Sequence, residues 1–289
     1  MIQKLLAEKH FSLSFEIFPT RSTTNKSLRI ILKMIVKLER YHPDFISVTF
    51  GVGGINKKNA TEIANYIKII GSRALSHITA IGYTKKEVKR ILSDLYIAEV
   101  RNILALRGDI SPDFKSAQKG KPDFKYARDL IKYIKDDGRF CIGAAVYPEG
   151  HPECPDLKKN MDYFEQKIDA GASFFITQVF FDNSKFFNFI DQVKKRKLDH
   201  VKIIPGIMPV YDKSLLEKIL HLSKASIPEN LKHIRDTYEG EDFKKAGMEF
   251  SIKQVDNLLK NIPDNSGIHL YTMNKVKYIR EIIKTLNIV

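Results

Sequence analysis

The sequence predicts an α/β fold, a closed (β/α)8 barrel of eight parallel strands wrapped by helices. Three observations carry that expectation. Short runs rich in Val, Ile, Phe and Thr recur along the 289 residues, longer amphipathic stretches separate them, and no linker-like composition divides the chain. The eight runs are FSLSFEIF (11–18), DFISVTF (44–50), LSHIT (75–79), RNILAL (101–106), CIGAAVY (141–147), FFITQV (174–179), VKIIPGI (201–207) and GIHLYT (267–272). A helical segment follows each of them. In the segment 25–40, Leu28, Ile31, Leu32, Ile35 and Leu38 fall on one face, as a helix packed outside a sheet requires. Similar faces recur at 84–98 and 213–222. The interval 208–266 is too long for a single connection and is expected to hold extra helices between the seventh and eighth strands. The pattern also fits an open doubly wound sheet, but eight units in under 300 residues favour closure. A single domain spanning 1–289 is the expectation.

Composition narrows the function classes. With 43% hydrophobic and 28% charged residues, the chain is expected to bury a full core and to be neither disordered nor fibrous. The net charge of +14 raises the question of nucleic acid, yet the lysines are dispersed and no basic stripe with interleaved aromatics is present. The densest run, KKRK at 194–197, falls at the end of an expected helix, where cations meet the negative end of the dipole. A basic surface also steers polyanionic small molecules. Cys141 and Cys154 form no CxxC pair, which fits a reducing cytoplasm. No stretch approaches a membrane span and the N-terminus lacks a signal core, so a soluble protein is expected.

A barrel of this kind carries its chemistry at the C-terminal ends of its strands. Polar residues gather there: Glu16 in the first run, Thr49 after the second, His77 in the third, Arg107, Gly108 and Asp109 after the fourth, Tyr147 after the fifth and Gln178 after the sixth. A ring of groups at one mouth explains them together. Glu16, among apolar neighbours, is either a desolvated general acid or a structural glutamate, on a solvated strand face or paired with Arg21, and alternation does not decide between these. Asp109 closes LALRGD, which reads either as an ordinary turn with an Arg–Asp pair or as a backbone corner approaching a ligand. YPEGHPE (147–153) is rigid and polar directly after a strand, but His151, Glu149 and Glu153 lack a second histidine or cysteine for a metal. GxGxxG, GxxxxGK[ST] and GxSxG motifs are absent, and GVGG at 51–54 is only a glycine-rich loop.

Taken in order, FEIFPTR, SVTFG, SHIT, LALRGD, AAVYPEGHPE, KIDAGASFFITQVFFD, IIPGIMP and HLYTMN resemble the motifs of the methylenetetrahydrofolate reductase family, from about residue 11 to residue 289. The resemblance is to the bacterial form, a TIM barrel alone. It implies noncovalent FAD, NADH or NADPH as co-substrate, and reduction of 5,10-methylenetetrahydrofolate to 5-methyltetrahydrofolate, feeding methionine synthesis. By resemblance, Glu16 is the general acid that opens the folate ring, and Asp109 lies near the flavin and bonds the pterin. Gln178 contacts folate or nicotinamide, and Lys275 pairs with the glutamate tail of folate. The flavin is expected to be held by Thr49, His77, Arg107, Gly108, Asp109, Tyr126, Ala127, Ala145, Tyr147, His151, Asn160 and Lys167. Departures from the family pattern are Thr20, where a second proline is usual, Asn160, where an aspartate is expected, and Leu215 and Ile219, where some relatives have glutamine and phenylalanine.

Three other readings compete with this one. A different flavin barrel, such as a proline dehydrogenase-like enzyme, would share fold and cofactor but not substrate. A nucleic-acid-binding module would lose affinity with rising salt. A purely structural barrel would leave Glu16 and Asp109 replaceable. The resemblance further implies a homo-oligomer of unspecified size.

Overall fold

The computed structural model describes residues 1–19, 24–49, 57–108, 123–154, 156–262 and 266–288. Its strands are β1 (Phe11–Ile17), β2 (Phe45–Val48), β3 (Ala74–Thr79), β4 (Asn102–Leu106), β5 (Cys141–Val146), β6 (Phe174–Thr177), β7 (Lys202–Ile204), β8 (Gly206–Ile207) and β9 (Ser266–Tyr271). They form one sheet in the order β7-β6-β5-β4-β3-β2-β1-β9-β8, and every pairing is parallel. The two ends of that order are one stave. Lys202–Ile204 pairs with β6 and Gly206–Ile207 with β9, with Pro205 between them. Proline has no N–H for the ladder, but the Pro205 carbonyl accepts from His269 N at 2.9 Å. The sheet therefore closes into the expected eight-stave barrel, and the seventh run is the stave at the seam.

The helices among the described residues are α1 (Ile2–Glu8), α2 (Asn25–Glu39), α3 (Lys57–Ile69), α4 (Lys85–Ile97), α5 (Ala127–Asp137), α6 (Leu157–Asp169), α7 (Asn183–Lys195), α8 (Lys213–Ser223), α9 (Glu229–Thr237), α10 (Gly240–Asn261) and α11 (Val276–Leu286). The amphipathic stretches expected at 25–40, 84–98 and 213–222 are α2, α4 and α8. Capping sets some of these starts: Thr84 Oγ1 accepts from Glu87 N while Glu87 Oε2 accepts from Thr84 N, a reciprocal box opening α4. The extra helices expected before the last strand are α8, α9 and α10.

Because helices cover the outside, the strands are buried on both faces, which is why they read as nearly continuous apolar runs. Ile35, Ile46, Ile103, Leu130, Phe175 and Ile279 belong to the large core between sheet and helices. A second cluster fills the barrel itself, where Phe45, Leu75, Leu104, Cys141, Phe174 and Ile204 meet Ile2, Leu5 and Leu6 of α1. The sequence reading did not foresee α1. It plugs the N-terminal end of the barrel, and Ile2 N donates to Asn102 Oδ1 at 2.9 Å. Burying three such aliphatic side chains contributes roughly 1.5–3 kcal/mol each.

Candidate functional site

Inside the barrel, the lining turns polar on one side toward the opposite end. Ser14 and Glu16 on β1, Ser47 on β2, His77 on β3 and His269 on β9 are all buried. Glu16 is in register with Ser47 on one neighbouring strand and with Tyr271 on the other. His77 Nε2 stands 3.6 Å from Glu16 Oε2, too long for a hydrogen bond but in van der Waals range. Burial pushes the Glu16 carboxyl from 4.5 up to about 8 and the His77 imidazole from 6.5 down to about 3. At neutral pH the contact is therefore between a protonated acid and a neutral imidazole, and no ion pair forms. His269 is also driven to about 3, by burial and then by His77 nearby, and its Nδ1 lies 2.8 Å from Ser14 Oγ. Of the two readings of Glu16, the geometry has the desolvated acid; Arg21 lies outside the described residues.

A cavity of about 320 Å³ opens beside this polar lining, walled by the ends of β4 and β5, the loop that follows β5, and helices α5 and α6. Eight of the expected cofactor residues line it: Arg107, Tyr126, Ala127, Ala145, Tyr147, His151, Asn160 and Lys167. Thr49, His77, Gly108 and Gln178 do not line it. Thr49 follows β2, where its N–H donates to Ile17 O at 3.2 Å. Gln178 follows β6, with its Oε1 taken by Val179 N. Lys275 is exposed and caps α11. Asp109, Thr20 and GVGG 51–54 lie outside the described residues, so the two readings of Asp109 stay as the sequence left them.

The cavity wall is cationic and aromatic. Lys167 Nζ donates to Ala145 O at 2.8 Å and lies 5.8 Å from the Tyr147 ring centre, with burial lowering its pKa to about 8. The Arg107 guanidinium forms a forked pair with Glu153 at 2.5 and 2.8 Å. The Arg128 guanidinium lies 5.0 Å from the Tyr126 ring centre. Gly108 has φ +85°, and a Cβ there would come 2.9 Å from Thr79 Cβ, so the corner after Arg107 requires glycine twice over.

The rigid YPEGHPE loop is knitted from within. His151 Nδ1 accepts from Glu153 N at 3.1 Å, so the neutral ring carries its proton on Nε2. Asn160 Oδ1 accepts from His151 N, and Asn160 Nδ2 donates to the carbonyls of Cys154 and Asp156. That explains the departure from aspartate: a carboxylate has no hydrogen for those two carbonyls. The amide of Asn160 is committed to the loop, although its side chain lines the cavity. Glu149 Oε2 accepts from Ser226 N, tying the loop to the connection between α8 and α9. Among the described residues no cluster of three metal-ligating side chains occurs, nor is any helix long and apolar enough to cross a membrane.

Sequence reasoning passed over Tyr271, His269 and Ser14. The one sequence signal was alternation along 12–16 and 267–271, which places Ser12, Ser14 and Glu16 on one face of β1, and Gly267, His269 and Tyr271 on the same face of β9. Leu215 and Ile219 are partly buried on α8, packed with Tyr271 and Met273 against the cluster of Val179, Met208 and Phe243.

Known proteins resemble the chain throughout its length. It is 34% identical over 283 residues to methylenetetrahydrofolate reductase 2 of Saccharomyces cerevisiae and spans 47% of that protein, about half its length. It is 32% identical over 280 residues to 5,10-methylenetetrahydrofolate reductase of Escherichia coli, covering 96% of this chain and 91% of that one. A Clostridium thermocellum protein that binds two copies of 5-methyl-5,6,7,8-tetrahydrofolic acid shares the fold, with TM-score 0.69, 19% identity and coverage of 99% and 98%. The family model for methylenetetrahydrofolate reductase matches residues 1–287, and the chain belongs to that family.

Proposed function

We propose that this chain reduces 5,10-methylenetetrahydrofolate to 5-methyltetrahydrofolate, with NADH or NADPH as hydride donor and noncovalent FAD as cofactor, in a ping-pong sequence that feeds methionine synthesis. The observation that carries the proposal is Glu16, a carboxyl buried against His77 toward the C-terminal end of the barrel, with its pKa pushed up to about 8. Such a group holds its proton at neutral pH and can deliver it to a substrate. The folate ligands of the Clostridium thermocellum neighbour support the substrate class.

The residues present fit FAD by their chemistry. The cavity joins cations from Arg107 and Lys167 to the rings of Tyr126 and Tyr147, and the N-terminus of α5 opens at its edge. Thr49, His77, Arg107, Gly108, Asp109, Tyr126, Ala127, Ala145, Tyr147, His151, Asn160 and Lys167 would hold the cofactor. Bound there, FAD would supply the two-electron relay between nicotinamide and folate. The protein supplies the proton. Glu16 donates to a bridging folate nitrogen, the C–N bond of the five-membered ring breaks with its electron pair going to that nitrogen, and the methylene carbon becomes an iminium electrophile. The Glu16 carboxylate left behind is desolvated, which favours its reprotonation before the next turnover. Asp109 would bond the pterin and offset the positive charge of the iminium. Gln178 would contact folate or nicotinamide, and exposed Lys275 would pair with the folate glutamate tail. The dispersed cysteines fit a cytoplasmic setting, and a homo-oligomer is part of the same proposal.

The test is an absorbance spectrum of the purified protein, followed anaerobically by NADH and then by methylenetetrahydrofolate. Flavin bands that bleach with the first and return with the second are expected. A protein that takes up no flavin after incubation with FAD overturns the proposal.

A further inference from the structure

One side chain that helps close the barrel seam, Tyr271, is also the cross-strand partner of Glu16. The β6–β7 ladder ends at the pair Ile176–Ile204, because Pro205 follows. Beyond it the Gly206 N–H donates to the Thr177 hydroxyl at 2.9 Å. The Thr177 carbonyl in turn accepts from the phenol of Tyr271 at 2.6 Å. Tyr271 belongs to β9, so its side chain must cross β8 to reach β6. It passes over Gly206, where a Cβ would lie 2.6 Å from Tyr271 Cε2 and 2.8 Å from its hydroxyl. Any larger residue would fill the path. Tyr271 is also the register partner of Glu16, and Gln178 directly follows Thr177. One phenol thus links the strand beside the acid to the corner that carries the glutamine.

We propose that Tyr271 is a positioning residue for the folate step: strung from β9 to β6, it walls one side of Glu16 and fixes the Thr177–Gln178 corner relative to that acid. The inference rests on the reductase reading above. The groups beside Glu16 from packed elements, among the described residues, are Ser47 on β2, His77 on β3 and Tyr271 on β9, with His269 on β9 next to His77. Both histidines are neutral at working pH. Burial, then the neighbouring Glu16 and Tyr147, raises the Tyr271 phenol well above its ordinary value, so it remains a donor throughout. Tyr271 and His269 meet edge to face, with ring centres 5.2 Å apart, which steadies the ring from below.

Two variants separate positioning from a merely structural seam. Tyr271→Phe keeps the ring and removes the phenol; Tyr271→Ala removes both. In anaerobic half-reactions, Tyr271→Phe is expected to slow folate reduction about tenfold while flavin reduction by NADH stays within about twofold, because small misplacements of reacting groups are costly. A titration of the flavin-free protein labelled with 13C-glutamate, with the Glu16 signal identified by Glu16→Gln, reads the wall directly. Tyr271→Ala is expected to lower the Glu16 midpoint by at least about one pH unit as water reaches the carboxyl, and Tyr271→Phe to leave it in place. Should Tyr271→Ala fail to fold, the selectivity seen in Tyr271→Phe decides alone. Equal slowing of both half-reactions, or no slowing of either in Tyr271→Phe, overturns the proposal, as does an unshifted midpoint in folded Tyr271→Ala. A wild-type protein that reduces no folate defeats the reductase reading instead, and the flavin-free titration still reads Tyr271 against Glu16.

Discussion

The two ends of the barrel are made by the same staves and behave as opposites. At the N-terminal end, Phe45, Leu75, Cys141 and Phe174 close on Ile2, Leu5 and Leu6 of α1. At the C-terminal end, Glu16, His77 and Tyr271 face inward beside a cavity lined by Arg107 and Lys167. Alternation alone assigns both sets to the interior, and what separates them is height along the strand. The lower end gains stability from burying carbon. The upper end gives some of it up, because a carboxyl and two imidazoles are held neutral in a place where water would charge them.

That contrast can be broken from either side. The largest expected effect is at the top: Glu16→Gln should slow the folate half-reaction by at least about 10³-fold, within the range seen when a general acid is lost, and leave flavin reduction by NADH unchanged. Anaerobic stopped-flow absorbance measures both, and equal loss in the two half-reactions removes the acid role. The wild-type folate rate should also fall as pH rises through about 8, the value at which Glu16 gives up its proton. Next comes the floor. Leu6→Ala should cost about 2–4 kcal/mol in denaturant unfolding with the kcat of the intact protein preserved; a loss of no more than about 0.5 kcal/mol, the size typical of surface changes, would mean α1 is not a plug.

A smaller effect reverses the usual direction of damage. The folded-state pKa of Glu16 is raised from 4.5 to about 8, so its contribution to stability is full below 4.5 and is lost as pH climbs through 8. Glu16→Gln should therefore melt above wild type at pH 8.5, by about 2 kcal/mol or roughly 4 °C, and level with it near pH 4.5. Calorimetry at the two pH values checks the sign. The smallest effect belongs to the loop: Asn160→Asp places carboxylate oxygens against the carbonyls of Cys154 and Asp156, which should cost about 1–2 kcal/mol and speed flavin loss. Equal off-rates by flavin fluorescence would return Asn160 to a passive wall.

The sequence made the barrel legible because its strands are buried on both faces and stand out as apolar runs, from FSLSFEIF to GIHLYT. It made Glu16 legible because a charge in such a run is out of place. Eight of the expected cofactor residues share one cavity because motifs that follow successive strands converge at one end of a barrel. Other features were hidden for physical reasons. The Pro205 break depends on which neighbour each half-stave meets, and the crossing of Tyr271 depends on Gly206, 65 positions away. Asn160 read as a departure from the family's aspartate among the expected cofactor residues, and that its amide holds the loop is visible only once the carbonyls of Cys154 and Asp156 are in place. Helix α1 was the avoidable miss, since Ile2, Leu5 and Leu6 carry helical spacing in plain view.

The plug also constrains the order in which the molecule can assemble. Helix α1 precedes every strand, yet its hydrogen-bond partner Asn102 lies 100 residues on, and Phe174 and Ile204 of its cluster lie farther still. Contacts of such long range close large loops and form late. Until the seam stave is in place, α1 has only part of its seat and its apolar face stays open to misdirected contacts. The floor of this barrel thus comes before every strand in sequence and among the last pieces of structure, and changes in α1 should register in refolding speed as well as in final stability.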